Sequence, residues 1–217
     1  EINEPALLEA INENTKVIWL CSPNNPTGNT LDPEAIKSVL NNFKGVVIVD
    51  EAYIDFSHSQ SWIDYLDFYP NLIVMQTFSK AWGLAGLRLG MGFASKEIIT
   101  VLNKIKPPYN INTLTQEKAS EMLGDLDKKN DAVDVILAER IVLSEALEEI
   151  TTVRNIYPSE ANFLLVKIDD ATDIYNKLVE KSIIVRNRAN VELCESCVRI
   201  TVGTPKENKL VIAAITL

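Results

Sequence analysis

The run Gly45-Val46-Val47-Ile48-Val49-Asp50-Glu51-Ala52-Tyr53 decides the fold class. Four consecutive β-branched residues after a glycine read as a short buried strand, 46–50, of the kind found in parallel sheets. The run ends in a carboxylate. In open α/β sheets, ligands bind outside the carboxyl ends of the strands. A carboxylate placed there is costly unless it meets a cation or hydrogen-bond donors. These residues alone leave two readings of Asp50 open: a ligand-facing group, or a strand-end side chain that caps the next turn. Tyr53 either faces the same place or packs.

Working outward, Val17–Cys21 is a second short apolar run, and Leu72–Gln76 and Leu89–Ala94 are two more strand candidates. Helical spacing predicts a helix over 5–14. Asp32-Pro33-Glu34 opens another, reaching about residue 42, with Asp32 as N-cap and Pro33 at the first helical position. Strand and helix alternate, which is the mark of an α/β layered fold. Ser22-Pro23-Asn24-Asn25-Pro26-Thr27-Gly28 is dense in turn residues. Glycines at 83, 86, 90 and 92 predict close backbone approach or unusual dihedrals. Lys106-Pro107-Pro108-Tyr109 breaks the chain, and helices are predicted over 112–123 and 127–150. Beyond 150 the pattern changes to strands 153–157, 162–168, 183–186 and 197–202, with helices 171–181 and 205–215, the make-up of a small α+β domain. The expected division is therefore 1–124 for part of a larger α/β domain with a mostly parallel sheet, 125–150 for a long connecting helix, and 151–217 for the small domain.

Composition excludes several function classes. The 217 residues carry 21 basic and 30 acidic side chains, a net charge of −9, which argues against nucleic acid or an anionic membrane as partner. A single histidine, His58, argues against a His-rich metal centre and a Ser–His–Asp hydrolase, so no metal site is expected. It lies in a polar stretch and reads as an exposed loop residue. No apolar run approaches the ~20 residues of a membrane helix. Cys194-x-x-Cys197 has no second Cys/His pair to complete a zinc site and reads as ordinary reduced cysteine, consistent with the cytoplasm. Asp170-Ala171-Thr172-Asp173 reads as a helix cap rather than a cation site.

The richest chemistry lies in Thr77-Phe78-Ser79-Lys80-Ala81-Trp82-Gly83-Leu84-Ala85-Gly86-Leu87-Arg88-Leu89-Gly90. Ser79 and Arg88 offer the hydroxyl and forked cation that a phosphate group takes. Lys80, among aromatic and small neighbours, is a candidate for Schiff-base chemistry.

The three motifs Ser22–Gly28, Asp50-Glu51-Ala52-Tyr53 and Ser79-Lys80-x₇-Arg88, in that order, resemble the fold type I pyridoxal-phosphate aminotransferases. The strings Thr77–Gly90, Lys106-Pro107-Pro108-Tyr109-Asn110-Ile111-Asn112 and Val198-Arg199-Ile200-Thr201-Val202-Gly203-Thr204 are most similar to the histidinol-phosphate aminotransferases of histidine biosynthesis. The resemblance covers nearly the whole chain. It implies pyridoxal 5′-phosphate as cofactor, in Schiff-base linkage to Lys80. Asp50 would pair with the ring nitrogen, Tyr53 and Asn25 would bond the 3′-oxygen, and Ser79, Arg88 and Thr77 would hold the phosphate. Arg199 would bind the anionic end of glutamate or of histidinol phosphate. Arg186 is a second phosphate contact or a solvated cation beside Arg188. The implied partners are small molecules and a second copy of the chain, in a cytoplasmic homodimer. Family members also carry an N-terminal portion that supplies further cofactor contacts. The chain is therefore expected to be the later part of such an enzyme, weak or inactive alone. The rival readings are a non-catalytic module of this type, an aromatic aminotransferase, and a threonine-phosphate decarboxylase.

Overall fold

The computed structural model describes residues 2–216, which fall into two compact units. The first takes the chain up to Pro23 and Thr30–Lys129. The second takes Asn24–Asn29 and the chain from Asn130 onward.

The first unit holds α1 (Glu4–Ala10), β1 (Val17–Cys21), α2 (Pro33–Asn42), β2 (Val46–Asp50), β3 (Leu72–Thr77), β4 (Gly90–Ala94), α3 (Lys96–Ile105) and α4 (Thr113–Leu123). Its sheet has the order β1-β2-β3-β4; the first three strands are parallel and β4 runs antiparallel to β3. The α/β class with a mostly parallel sheet is thus as expected. Asp32 caps α2 by accepting the Glu34 N–H at 3.0 Å, and Pro33 stands at the first helical position. That helix buries Ile36, Val39 and Leu40 against Val47, Val49, Leu72 and Val74 of the sheet. Coverage is one-sided: Val47 and Val49 are fully buried, whereas Val46 and Ile48 are only half-buried. On β1, Val17 and Trp19 are 50% and 54% exposed.

Three local expectations need correction. The first helix stops at Ala10 rather than 14, because Asn12–Thr15 forms a turn of its own, with Asn14 N–H bonded to Asn12 Oδ1 at 2.9 Å. α3 was not anticipated, although Ser95 is its N-cap and Ile98, Val101, Leu102 and Ile105 recur at helical spacing. Of the four clustered glycines, Gly83 has a positive φ (+65°) and Gly90 lies close to backbone, where an added Cβ would be 3.2 Å from the Gln76 carbonyl oxygen, both as expected, while Gly86 and Gly92 face open space.

The second unit holds β5 (Val153–Tyr157), β6 (Phe163–Ile168), α6 (Ala171–Glu180), β7 (Arg186–Asn187), β8 (Cys197–Thr201) and α7 (Pro205–Thr216). A long helix, α5 (Leu126–Glu148), opens in the first unit's last residues and continues here. The sheet is antiparallel throughout, in the order β5-β6-β8-β7. Leu143 and Leu147 of α5, with Leu178 of α6 and Val211 of α7, pack on Leu164, Val166, Val198 and Ile200. The opposite face buries Leu165, Cys194 and Cys197 beside Tyr157. The two thiols are unlinked, and burial raises both of their pKa values.

β7 is shorter than expected and starts at Arg186, not 183. The N–H of Ile183 instead closes the end of α6 on the Leu178 carbonyl (2.8 Å), with Ser182 at φ +61°. Asp170 occupies the N-cap position of α6 but at φ +50° and without a side-chain capping bond; its backbone carbonyl accepts the Ile174 N–H instead.

Candidate active site

The carboxyl edge of the first unit's sheet gathers Asp50, Tyr53, Thr77, Ser79, Lys80 and Arg88. Asp50 is the last residue of β2 and stands in register with Met75 of the adjacent parallel strand β3. Its Oδ1 accepts the Ala52 N–H at 3.0 Å, so it does cap the next turn; Oδ2 has no partner among the described residues. The two readings left open by sequence are therefore compatible. Tyr53 is buried, and the Lys80 ammonium lies over its ring, 5.0 Å from the centroid. Lys80 is partly buried, and its Nζ makes no hydrogen bond or ion pair with any described residue.

Thr77 closes β3 and its Oγ1 accepts the Ser79 N–H at 3.0 Å, which folds the chain sharply at the strand end. Gly83 and the short 3₁₀ turn Ala85–Leu87 then bring the chain round to β4. Arg88 ends that turn at φ +51°, a left-handed conformation unusual for a non-glycine residue and characteristic of functional loops. One of its guanidinium nitrogens donates to the Ala85 carbonyl (3.0 Å), and no carboxylate of the described residues pairs with the rest.

Asn25, Arg186 and Arg199 lie in the second unit. Gly28, at φ +82°, brings the 24–29 segment against Ser159, where an added Cβ would lie 2.5 Å from its hydroxyl. The Glu160 N–H bonds the Gly28 carbonyl at 2.7 Å and fastens the segment. Arg199 Nη1 donates to Asn25 Oδ1 at 2.7 Å, and its guanidinium stacks on Phe163, 4.8 Å from the ring centroid. Arg186 is the cross-strand neighbour of Arg199. Like charges directly opposite one another in a ladder repel, and Arg186 has no ion pair among the described residues. An anion would relieve that repulsion.

Two residues that matter here carry no role in the sequence reading. Phe163 is the platform for Arg199. Glu51 is 1% exposed, and its carboxylate accepts bonds from Ser61 Oγ (2.7 Å), the Trp62 N–H (2.6 Å) and Gln76 Nε2 (2.9 Å). Burial raises its pKa against the pull of those donors. Nothing in local sequence marks Glu51 as buried; its position between Asp50 and Tyr53 is the only hint. His58 is exposed, and no group of three or more His, Cys, Asp or Glu among the described residues is placed to hold a metal ion. Nor is any helix of the described residues long and apolar enough to cross a membrane.

Residues 1–215 match the model of the aminotransferase class I and II family, and the chain belongs to that family. More narrowly, it is 54% identical over 211 residues to the histidinol-phosphate aminotransferase of Flavobacterium johnsoniae, covering 97% of this chain and 60% of that protein. The histidinol-phosphate aminotransferase of Clostridium acetobutylicum superposes with a TM-score of 0.90 at 26% identity, over 99% of this chain and 67% of that one. The enzyme from Sinorhizobium meliloti, solved in complex with pyridoxal-5′-phosphate, gives 0.88 at 25% identity, over 99% and 60%. The chain thus spans about 60% of the length of the curated relatives it matches.

The residues fit a pyridoxal-phosphate cofactor. Among the described residues the lysine amine has no competing ion pair, one Asp50 carboxylate oxygen is unused, and hydroxyls and a guanidinium without a carboxylate partner stand at the same sheet edge.

Proposed function

We propose that this chain carries the lysine and most of the cofactor-binding residues of a histidinol-phosphate aminotransferase, which exchanges an amino group between glutamate and imidazole-acetol phosphate. The observation that carries the reading is Lys80: an amine stacked on Tyr53, without an ion pair among the described residues, at the same sheet edge as the strand-end carboxylate of Asp50. When bound, pyridoxal phosphate supplies an electrophilic carbon for amine exchange and a ring that accepts an electron pair.

The protein's residues do the rest. Lys80 Nζ holds the cofactor and, once released as a neutral amine, takes the proton from the substrate α-carbon. Asp50 Oδ2 accepts the ring N–H and keeps that nitrogen protonated. The Tyr53 hydroxyl and the Asn25 amide bond the ring 3′-oxygen. Ser79, Thr77 and Arg88 bind the cofactor phosphate. In the second unit, Arg199 binds the α-carboxylate of glutamate or the anionic end of histidinol phosphate, and Asn25 and Phe163 hold its fork. Arg186 adds a contact to the substrate phosphate. The protein is proposed to work as a cytoplasmic homodimer; its three unlinked cysteines support a reducing compartment.

The test uses the full-length gene product. Incubation with pyridoxal phosphate should produce visible absorbance, and borohydride followed by peptide mapping should place the label on Lys80. A label on another lysine overturns the assignment. Among amino donors, histidinol phosphate should exceed histidinol, phenylalanine and threonine phosphate in kcat/KM. Preference for a donor without phosphate, or carbon dioxide release from threonine phosphate, would replace the substrate assignment.

A further inference from the structure

We propose that Glu51 is a positioning residue for this transamination: its carboxylate locks the end of β2, where it stands between Asp50 and Tyr53, to the end of β3, which bears Thr77 and leads into Ser79 and Lys80. The proposal rests on the aminotransferase reading and deepens it.

The parallel ladder between β2 and β3 ends with the Glu51 N–H on the Met75 carbonyl at 2.8 Å. The Glu51 side chain makes the next tie, to Gln76 Nε2. Four residues after Gln76 comes Lys80. The same carboxylate accepts the Trp62 N–H and the Ser61 hydroxyl, so a third segment, the 61–65 turn, is joined to both strand ends. Successive side chains of an extended strand point to opposite faces. Glu51 therefore points away from the face that Asp50 serves and acts through its neighbours.

Energetics favour a directional role over simple filling. A buried carboxylate without a cationic partner is costly, and an apolar side chain of similar volume would fill the place at less expense in free energy. No described Lys, Arg or His forms a salt bridge with Glu51. What the carboxylate offers is three acceptor directions at one point, matched by three donors from two segments, the 61–65 turn and the end of β3. A cavity of about 190 Å³ borders the cluster, lined by Glu51, Ser22, Ile54, Trp62 and Tyr65 among others. Water from it can reach donors orphaned by truncation, so a shortened side chain is compatible with folding.

The experiment compares Glu51→Gln, Glu51→Ala and the milder Ser61→Ala in the full-length gene product. In Glu51→Gln the carbonyl oxygen still accepts the Trp62 N–H, and the amide donates to Ser61 Oγ and, after rotation, to the Gln76 carbonyl oxygen. Its kcat should stay within about 3-fold of wild type. Glu51→Ala should lower kcat about 10- to 100-fold with KM for glutamate little changed, and shift the pH midpoint of the bound cofactor's visible absorbance, because Tyr53 and Lys80 lose their registration. Ser61→Ala should move both in the same direction by a few-fold. Without cofactor, amide exchange at residues 50–54 and 77–80 should speed about 10-fold or more in Glu51→Ala, with β6 unaffected. Wild-type kcat, pH midpoint and exchange in Glu51→Ala overturn the proposal, as does equal damage in Glu51→Gln and Glu51→Ala. Should Glu51→Ala fail to fold, Ser61→Ala decides: an unmoved midpoint overturns the proposal. If the wild-type protein takes up no pyridoxal phosphate, the aminotransferase reading fails instead, and the cofactor-free exchange still decides whether Glu51 joins the two exits.

Discussion

In the first unit the chemistry-bearing side chains stand where parallel strands end: Asp50 as the last residue of β2, Thr77 as the last residue of β3, and Lys80 just beyond it. In the second, Arg186 and Arg199 stand opposite each other inside an antiparallel ladder. A strand end leaves the next residues free to turn, so hydrogen bonds outside the ladder must hold them; Asp50 to Ala52, Thr77 to Ser79 and Glu51 to three donors do this. A residue within a ladder is placed by register alone, since a slip of one would send it to the other face. Core burial differs in parallel. The second unit covers both faces of β6. The first covers one face of its sheet with α2 and leaves α3 without a single buried residue.

Several measurements would break or sharpen that contrast. The largest effect is expected at the strand end: Lys80→Ala should lower turnover of the full-length gene product by about 10²–10⁴-fold while the circular dichroism spectrum stays wild-type. An active variant would show that the chemistry lies elsewhere. Leu147→Ala, at a fully buried position of α5, should lower the stability of the second unit by about 2–5 kcal/mol in urea unfolding. In the ladder, Arg199→Lys should raise KM for glutamate about 10-fold or more, because an ammonium cannot replace a fork held by Asn25 and stacked on Phe163.

A smaller effect is expected from pH. Burial raises the Glu51 pKa above its ordinary value, so the folded state binds that proton more tightly than the unfolded state does. Glu51 ionisation therefore lowers stability as pH rises from the ordinary carboxylate range through the raised pKa, and the loss is complete above it. Glu51→Gln should remove this component of the slope in urea midpoints across that window; an unchanged slope would show that the group does not titrate there. The least effect belongs to α3: Val101→Ala, at a 56% exposed position, should change the urea midpoint of the chain by no more than about 0.5 kcal/mol.

Much of this was readable residue by residue. Val46–Asp50 announced its strand through four β-branched residues, and Asp32-Pro33 announced the start of α2, because both signals depend on neighbours in sequence. The motif residues likewise pointed to the aminotransferases. α3 escaped although its periodicity was present, since it follows β4 after one residue. The start of β7 falls later than expected because Ile183–Val185 has strand composition, while the bond that closes α6 on Leu178 takes the first of these residues.

By itself, then, the sequence determined the order of strands and helices apart from α3, the α/β and α+β character of the two parts, and the residue types available for cofactor chemistry. Each of these follows from local propensity, apolar period and short motifs. Only the tertiary structure decided which face of β2 is covered, that Asn25 belongs with Arg199 rather than with Asp50's unit, and that Glu51 is buried under three donors. Those facts rest on contacts between residues 10 to 174 positions apart, and such separations leave no trace in local pattern.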